Sequence, residues 1–260
     1  MNLHELLARH RSIRRYLPDA IPEDVLARIL GAAARASTSG NMQPYSVIVT
    51  TDPALKRELH PLHFHQDMVL EAPVLLTFCS DFHRMRQWLA LREAPDNFDN
   101  LMSFLIGSID ATLAAQNAAL AAEAEGLGIC FLGTTLASCD GIARALHCPA
   151  NVVPVVGFTL GYPAETPEVR DRLPLPGVVH RERYRDYAPA ELAEIYRAKE
   201  LAGWNRYLAV PELRARVEEA GARNLAQVYT RVKYTRESHL GYSAEVLAWL
   251  RRQAFLNHPA

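Results

Sequence analysis

A chain of 260 residues that is 49% hydrophobic and 22% charged has a globular composition and can bury about three quarters of its surface on folding. Its 28 Lys and Arg against 29 Asp and Glu leave a net charge of −1, so no global field exists to attract nucleic acid or anionic lipid. Neither a nucleic acid nor a membrane is expected as a partner, and any anion site must be local.

Asn2 caps a first helix with Leu3, Leu6 and Leu7 on one face. Five basic side chains then fall within seven residues: Arg9, His10, Arg11, Arg14 and Arg15. Pro22-Glu23-Asp24 opens a second helix that runs to about Arg35. Residues 37–41 (STSGN) read as a loop, and 45–51 as a β-branched strand. Asp52-Pro53 starts a short helix to about His60, and 74–79 is a second, apolar strand. The best helical signal runs from about Asn97 to Ala124 and stops at Gly126. It carries Asp110, Gln116, Asn117 and Glu123, so it reads as a buried core helix and not a membrane span. A third strand is expected at 129–132, a helix at 141–146, and a fourth strand at 152–160. After a Pro- and Arg-rich loop (163–185), the chain turns helical at 190–202, 210–220 and 243–254.

Strands that alternate with helices and look buried on both faces predict a sheet sandwiched by helices. Residues 1–190 are expected to form the core. Residues 191–260 are expected to be a helical extension of the same domain, supplying lid and dimer contacts. The four cysteines form no C-x-x-C pair, and three sit in or beside apolar stretches. The N-terminus lacks the apolar h-region of a signal peptide. The expected setting is reducing and cytoplasmic.

Several chemistries can be weighed on the residues alone. His63-Phe-His65-Gln-Asp67 opens the H-x-H-x-D-H signature of metal-dependent hydrolases, but Met68 stands where that signature needs histidine. An exposed polar loop is the better reading. No G-x-S-x-G elbow exists, and Cys139 or Cys148 beside His147 is only proximity in sequence. Neither G-x-G-x-x-G nor a P-loop is present, so a bound phosphate would have to rest on arginines. His10-Arg11-Ser12-Ile13-Arg14-Arg15 offers guanidinium forks and a hydroxyl for a phosphate monoester, or an ordinary basic helix end. Arg170, Arg172, Arg181, Arg183 and Arg185 form a second basic cluster that alone reads as a solvated surface.

Taken in order, four blocks change that balance: HRSIRRY (10–16), ASTSGNMQPYSVIV (36–49), EAEGLGICFLGT (123–134) and VPVVGFTLGYPAETPEVRDRLP (153–174). Together they resemble the FMN-dependent nitroreductase family, most closely its NADPH-preferring branch of oxygen-insensitive nitroreductases and NADPH–flavin oxidoreductases. The resemblance implies an α+β fold with a mostly antiparallel central sheet flanked by helices. It also implies a homodimer with FMN at the interface.

On this resemblance the FMN phosphate is held by Arg11, Ser12 and Arg172, with His10 and Arg170 nearby, and Arg14 approaches the N1/O2 edge of the ring. Ser37, Thr38, Ser39 and Asn41 contact the flavin from the partner subunit, and Gln66 joins them. Phe131, Leu132, Gly133 and Thr134 run along the ring, with a backbone N–H facing N5. Thr134 stands where close relatives tend to carry a second glycine. Arg216 and Arg223 are the candidates for gripping NADPH, with NADH as the alternative donor. The implied reaction is ping-pong, two-electron reduction of nitroaromatics, quinones or free flavin, with no general acid required of the protein. Trp88, Phe98 and Trp204 are candidates for stacking a small aromatic or quinone acceptor. Two other functions stay open at this point: a non-catalytic FMN-binding redox sensor, and a metal-dependent hydrolase built on His63, His65 and Asp67.

Overall fold

The computed structural model describes residues 2–257. Local chemistry sets many of its element boundaries. Asn2 closes a capping box with Glu5 and starts α1 (Leu3–Arg9). Next comes α2 (Glu23–Ala33). After β1 (Tyr45–Thr50), the Asp52 carboxylate accepts the N–H groups of Ala54 and Leu55 and starts α3 (Pro53–Leu62) with proline in its first turn. A short α4 (Met68–Glu71) leads into β2 (Val74–Asp81), and α5 (His83–Leu91) follows. Asn100 caps α6 (Leu101–Ala124), and Gly126, at φ +81°, turns the chain out of it. The rest of this part is β3 (Gly128–Phe131), α7 (Thr134–Ala137), α8 (Cys139–Ala145) and β4 (Val152–Gly161).

The four strands form one sheet in the order β1-β2-β4-β3, every pairing antiparallel. Alternation along β2 explains why the whole strand is buried. Leu76 and Phe78 enter a core with α2, α6, Phe158 and Leu160, whereas Leu75 enters one with Leu59, Val69, Cys130 and Ile142. Burying each such side chain contributes about 2 kcal/mol. By length and composition α6 could cross a membrane. Its buried alanines (Ala111, Ala114, Ala115, Ala118, Ala119, Ala122) instead join this core, as expected of a core helix.

The chain divides into two compact units, one reaching Glu168 and resuming at Tyr242, the other Val169–Gly241. The second contains α9 (Pro189–Ala209), α10 (Pro211–Glu219), α11 (Leu225–Val228) and the first turns of α12 (Arg236–Arg252), which continues into the first unit. Within the second unit Val217, Leu225 and Val228 are buried, and Leu225 sits where a Cβ on Gly203 would stand, 2.4 Å away. The boundary expected after residue 190 thus falls inside this unit.

Several expected elements have different limits. The core helix starts at Leu101, because Asn100 is its cap. The helix after Ala188 runs on to Ala209, and the last helix begins at Arg236 with Gly241 inside it. The four-residue α4, α7 and α11 are too short to leave a periodic signal, and the sequence reading assigns no helix at α5.

Candidate functional site

The basic segment is laid against the sheet by its one apolar residue. Ile13 donates its N–H to the Ile129 carbonyl at 2.8 Å, and Ser12 bridges Ile129 in parallel fashion. The Ile13 side chain fills the space where Gly128 lacks a Cβ, 2.6 Å from that position. Arg11 and Ser12 are thereby set along β3, whose C-terminal end leads directly into Phe131–Thr134. Further along, Leu17 donates to the Tyr162 carbonyl and Ala164 to that of Arg15. The Tyr16 hydroxyl bonds Thr159 and the Ile13 carbonyl, and burial pushes its pKa up.

The polar groups around this segment are partly committed. His10 Nδ1 meets Glu123 Oε1 at 2.7 Å. Arg11 donates to the carbonyls of Arg9 (3.2 Å) and Pro167 (3.0 Å), which aims its guanidinium without neutralising it. Glu165 accepts the backbone N–H groups of Arg14 and Arg15. The Arg14 guanidinium is exposed, and among the described residues no carboxylate pairs with it. A cavity of about 260 Å³ opens beside this segment, lined in part by Arg9, Arg11, Gly128, Glu165 and Thr166.

The second expected group is the loop 37–41. Thr38 Oγ1 donates to Asp110 Oδ2 at 2.5 Å, and Ser39 donates both its hydroxyl and its N–H to the same carboxylate. Thr38 Oγ1 also accepts the Gln43 N–H. The tethered turn contains three left-handed residues, Gly40 (φ +56°), Asn41 (+55°) and Gln43 (+54°), two of them not glycine. Such backbone persists only where its surroundings hold it. Within the turn the hydroxyls of Thr38 and Ser39 face inward, whereas Ser37 and Asn41 are exposed. A further cavity, lined by Gly40–Gln43, Arg84, Met85 and Trp88, adjoins the turn. Phe98 packs on Phe82, with ring centroids 5.0 Å apart, and belongs to the core.

The third group joins the 63–66 turn to the end of β3. Leu132 donates its N–H to the Gly157 carbonyl, so it is committed to the sheet. Gly133 and Thr134 lie beyond the ladder, and no atom stands within 4 Å of a Cβ on Gly133. His63 Nδ1 meets Thr134 Oγ1 at 2.9 Å, and Gln66 Nε2 donates to the His63 carbonyl (2.9 Å) and to Thr134 Oγ1 (3.4 Å).

The remaining expected residues belong to the second unit. Arg172 there is exposed and donates to the carbonyls of Arg170 and Asp171, and Asp171 pairs with Arg206 at 3.1 Å. Arg216 donates to the Val232 carbonyl, and the Arg223 backbone N–H donates to Gln227.

The hydrolase reading is not supported. Among the described residues no three His, Cys, Asp or Glu side chains gather to hold a metal. His63 is 1% exposed, not part of an exposed loop, and faces Thr134, whereas His65 packs edge-on against His60. Nor is there an activated thiol at 139: burial pushes Cys139 up to about 11. Cys148 faces Cys79 and not His147, and with burial this raises the Cys79 thiol. Sequence reasoning missed Asp110, Glu165 and the role of His63. The one available signal was an acid in the middle of an otherwise apolar helix.

The chain thus has an α+β fold in which an arginine-bearing segment lies along the edge strand β3 and a polar turn at 37–41 is tethered to Asp110. The nitroreductase family model matches residues 7–162, and the chain belongs to that family. It is 35% identical over 185 residues to an FMN reductase (NADPH) of Bacillus subtilis, covering 70% of this chain and 74% of that one. It is 36% identical over 182 residues to an oxygen-insensitive NADPH nitroreductase of Salmonella typhimurium, with the same coverage of 70% and 74%. Among solved structures, a Bacteroides fragilis protein superposes with a TM-score of 0.89 at 42% identity, covering 97% of this chain and 100% of the other.

Proposed function

We propose that this protein is an FMN-dependent NAD(P)H oxidoreductase that reduces nitroaromatics, quinones or free flavin. One observation carries the proposal: the Ser12–Ile129 bridge sets a row of phosphate-binding donors along the strand that runs into the open Gly133–Thr134 turn. The donor chemistry fits FMN. Arg11 and Ser12 offer a guanidinium and a hydroxyl to a phosphate monoester. Arg14 offers an unpaired cation to an electron-rich ring edge, and the turn after β3 offers N–H donors with open space above them. Two-electron transfer from NAD(P)H to an acceptor, in alternating half-reactions, is the chemistry that FMN supplies when bound.

The chain's own residues bind and orient. Arg11 and Ser12 hold the phosphate, with His10 oriented beside them by Glu123. Gln66 and the Phe131–Thr134 segment border the ring. Asp110 keeps the 37–41 turn in shape, so that Ser37 and Asn41 face outward toward the flavin of a second copy.

A second copy is further supported by α6. Its outer face carries Met102 (63% exposed), Leu105 (42%), Ile109 (58%) and Leu113 (41%) at intervals of three and four residues. We assign this stripe to a homodimer interface. Arg216 and Arg223 are the proposed basis for preferring NADPH to NADH.

The deciding experiment is the visible spectrum of the purified protein with FMN, titrated anaerobically with NADPH. Flavin bands that bleach at one equivalent support the oxidoreductase. Bound flavin that resists every reduced nicotinamide would leave a redox sensor, and failure to bind FMN would remove the assignment altogether.

A further inference from the structure

His63 is a histidine without a solvent-facing task. It is 1% exposed, its Nδ1 is bonded to Thr134 Oγ1, and its Nε2 is buried with no partner among the described residues. A second proton would therefore sit on an unpaired, desolvated N–H, near the His60 ring. In consequence burial, aided by His60, lowers its pKa to about 4, and at neutral pH the ring is uncharged.

The chain around it is held in an unusual shape. Phe64 (φ +57°) and His65 (φ +54°) are consecutive left-handed residues without glycine, a conformation costing about 1–3 kcal/mol per residue unless the surroundings enforce it. Phe64 stacks on Tyr242 and His65 lies edge-on to His60, so both ends of the excursion are pinned. Its outcome is to place His63 and Gln66 on the same hydroxyl, that of Thr134. Thr134 is the first residue of α7 and follows Gly133, where an added Cβ would meet no atom within 4 Å.

We infer that His63 is a positioning residue for the flavin-facing turn: acting through the Thr134 hydroxyl, with Gln66, it fixes the direction of the Gly133 and Thr134 backbone N–H groups. The inference rests on the flavin assignment above. Oxidised flavin presents an acceptor at N5, whereas the two-electron-reduced form carries a proton there. A rigid N–H donor at that position therefore favours the oxidised form. Loosening the turn should weaken oxidised FMN more than reduced FMN and raise the midpoint potential.

The test is a double-mutant cycle with Thr134→Val and His63→Leu, and Thr134→Ser as the conservative control. Each variant is read by FMN affinity in both redox states and by midpoint potential. Thr134→Val should weaken oxidised FMN roughly tenfold relative to reduced FMN, equivalent to a rise of about 30 mV for a two-electron couple. His63→Leu should do the same, and the double variant no more than either single one. Thr134→Ser should restore the wild-type potential. Additive shifts, or a Thr134→Val potential equal to that of wild type, would overturn the positioning role. Should His63→Leu fail to fold, the comparison of Thr134→Val with Thr134→Ser decides alone. A wild-type protein that binds no FMN would instead overturn the flavin assignment, so the two failures are distinguishable.

Discussion

The Thr38 hydroxyl donates to the buried carboxylate of Asp110, 72 residues away in sequence, across 2.5 Å. With the two bonds from Ser39, the carboxylate is held by hydroxyl and amide donors, and among the described residues no cation pairs with it. Such a carboxylate is a fastener: it holds a left-handed turn that local propensity would not hold.

Asp110→Asn should show this directly. The substitution keeps the shape of the side chain but turns an NH₂ toward groups that are themselves donors. It should destabilise the protein by about 2 kcal/mol, the scale of one unsatisfied buried polar group. Urea unfolding measures that loss. If the turn also serves the flavin, FMN affinity should fall roughly tenfold in the same variant, which corresponds to about 1.4 kcal/mol.

Arg11 provides a test of the phosphate assignment that fold stability cannot mimic. Its guanidinium spans the Arg9 and Pro167 carbonyls, and among the described residues no carboxylate pairs with it. Removing one charge-assisted bond costs about 2 kcal/mol, so Arg11→Ala should weaken FMN roughly thirtyfold. Riboflavin, which has the same ring without the phosphate, should bind wild type and variant alike. Equal losses for both ligands would place Arg11 elsewhere than at the phosphate.

His63 gives the protein a defined acid sensitivity. A histidine in the unfolded chain takes its proton near 6.5, whereas native His63 takes one only near 4. Above pH 6.5 neither state is protonated, and the site's contribution is complete. As pH falls from 6.5 to 4 the unfolded chain binds a proton that the native state refuses. Stability should drop across that window by up to about 3 kcal/mol. Below pH 4 both states are protonated and the loss levels off. Carboxylates titrate in the same range, so the measurement is the difference in unfolding free energy between wild type and His63→Asn at each pH. That difference should vary between pH 6.5 and 4 and stay flat above.

What was legible in the sequence was what local chemistry decides. Asn2, Asp52 and Gly126 announce helix ends within a few residues, and they stand there in the fold. The buried apolar strand at Val74 and the long core helix follow from pattern alone. Short helices such as α4 and α7 span barely one turn, too little for a period to show. The site's tethers were illegible for a different reason. Asp110 with Thr38, and His63 with Thr134, join residues about 70 positions apart, and neither partner's type specifies the other. His63 was misread as surface because a histidine in an H-x-H stretch carries no sign of its own burial.

The exposed stripe on α6 yields the last prediction. One face of the helix packs the sheet with alanines, and the stripe from Met102 to Leu113 lies outward and exposed among the described residues. Exposed side chains at this spacing form a continuous ridge, and ridges of this kind in other helices mark association surfaces. Ile109 is central to it and adjoins Asp110, so the proposed dimer contact and the tether of the 37–41 turn share one helical turn. Ile109→Asp should therefore act twice. It should turn a dimer into a monomer in light scattering at micromolar concentration, because a charge cannot be buried unpaired at the centre of an apolar contact. It should also weaken FMN, because each flavin then loses the turn supplied by the second copy. Monomeric protein that keeps wild-type FMN affinity would separate the two and confine the flavin site to a single chain.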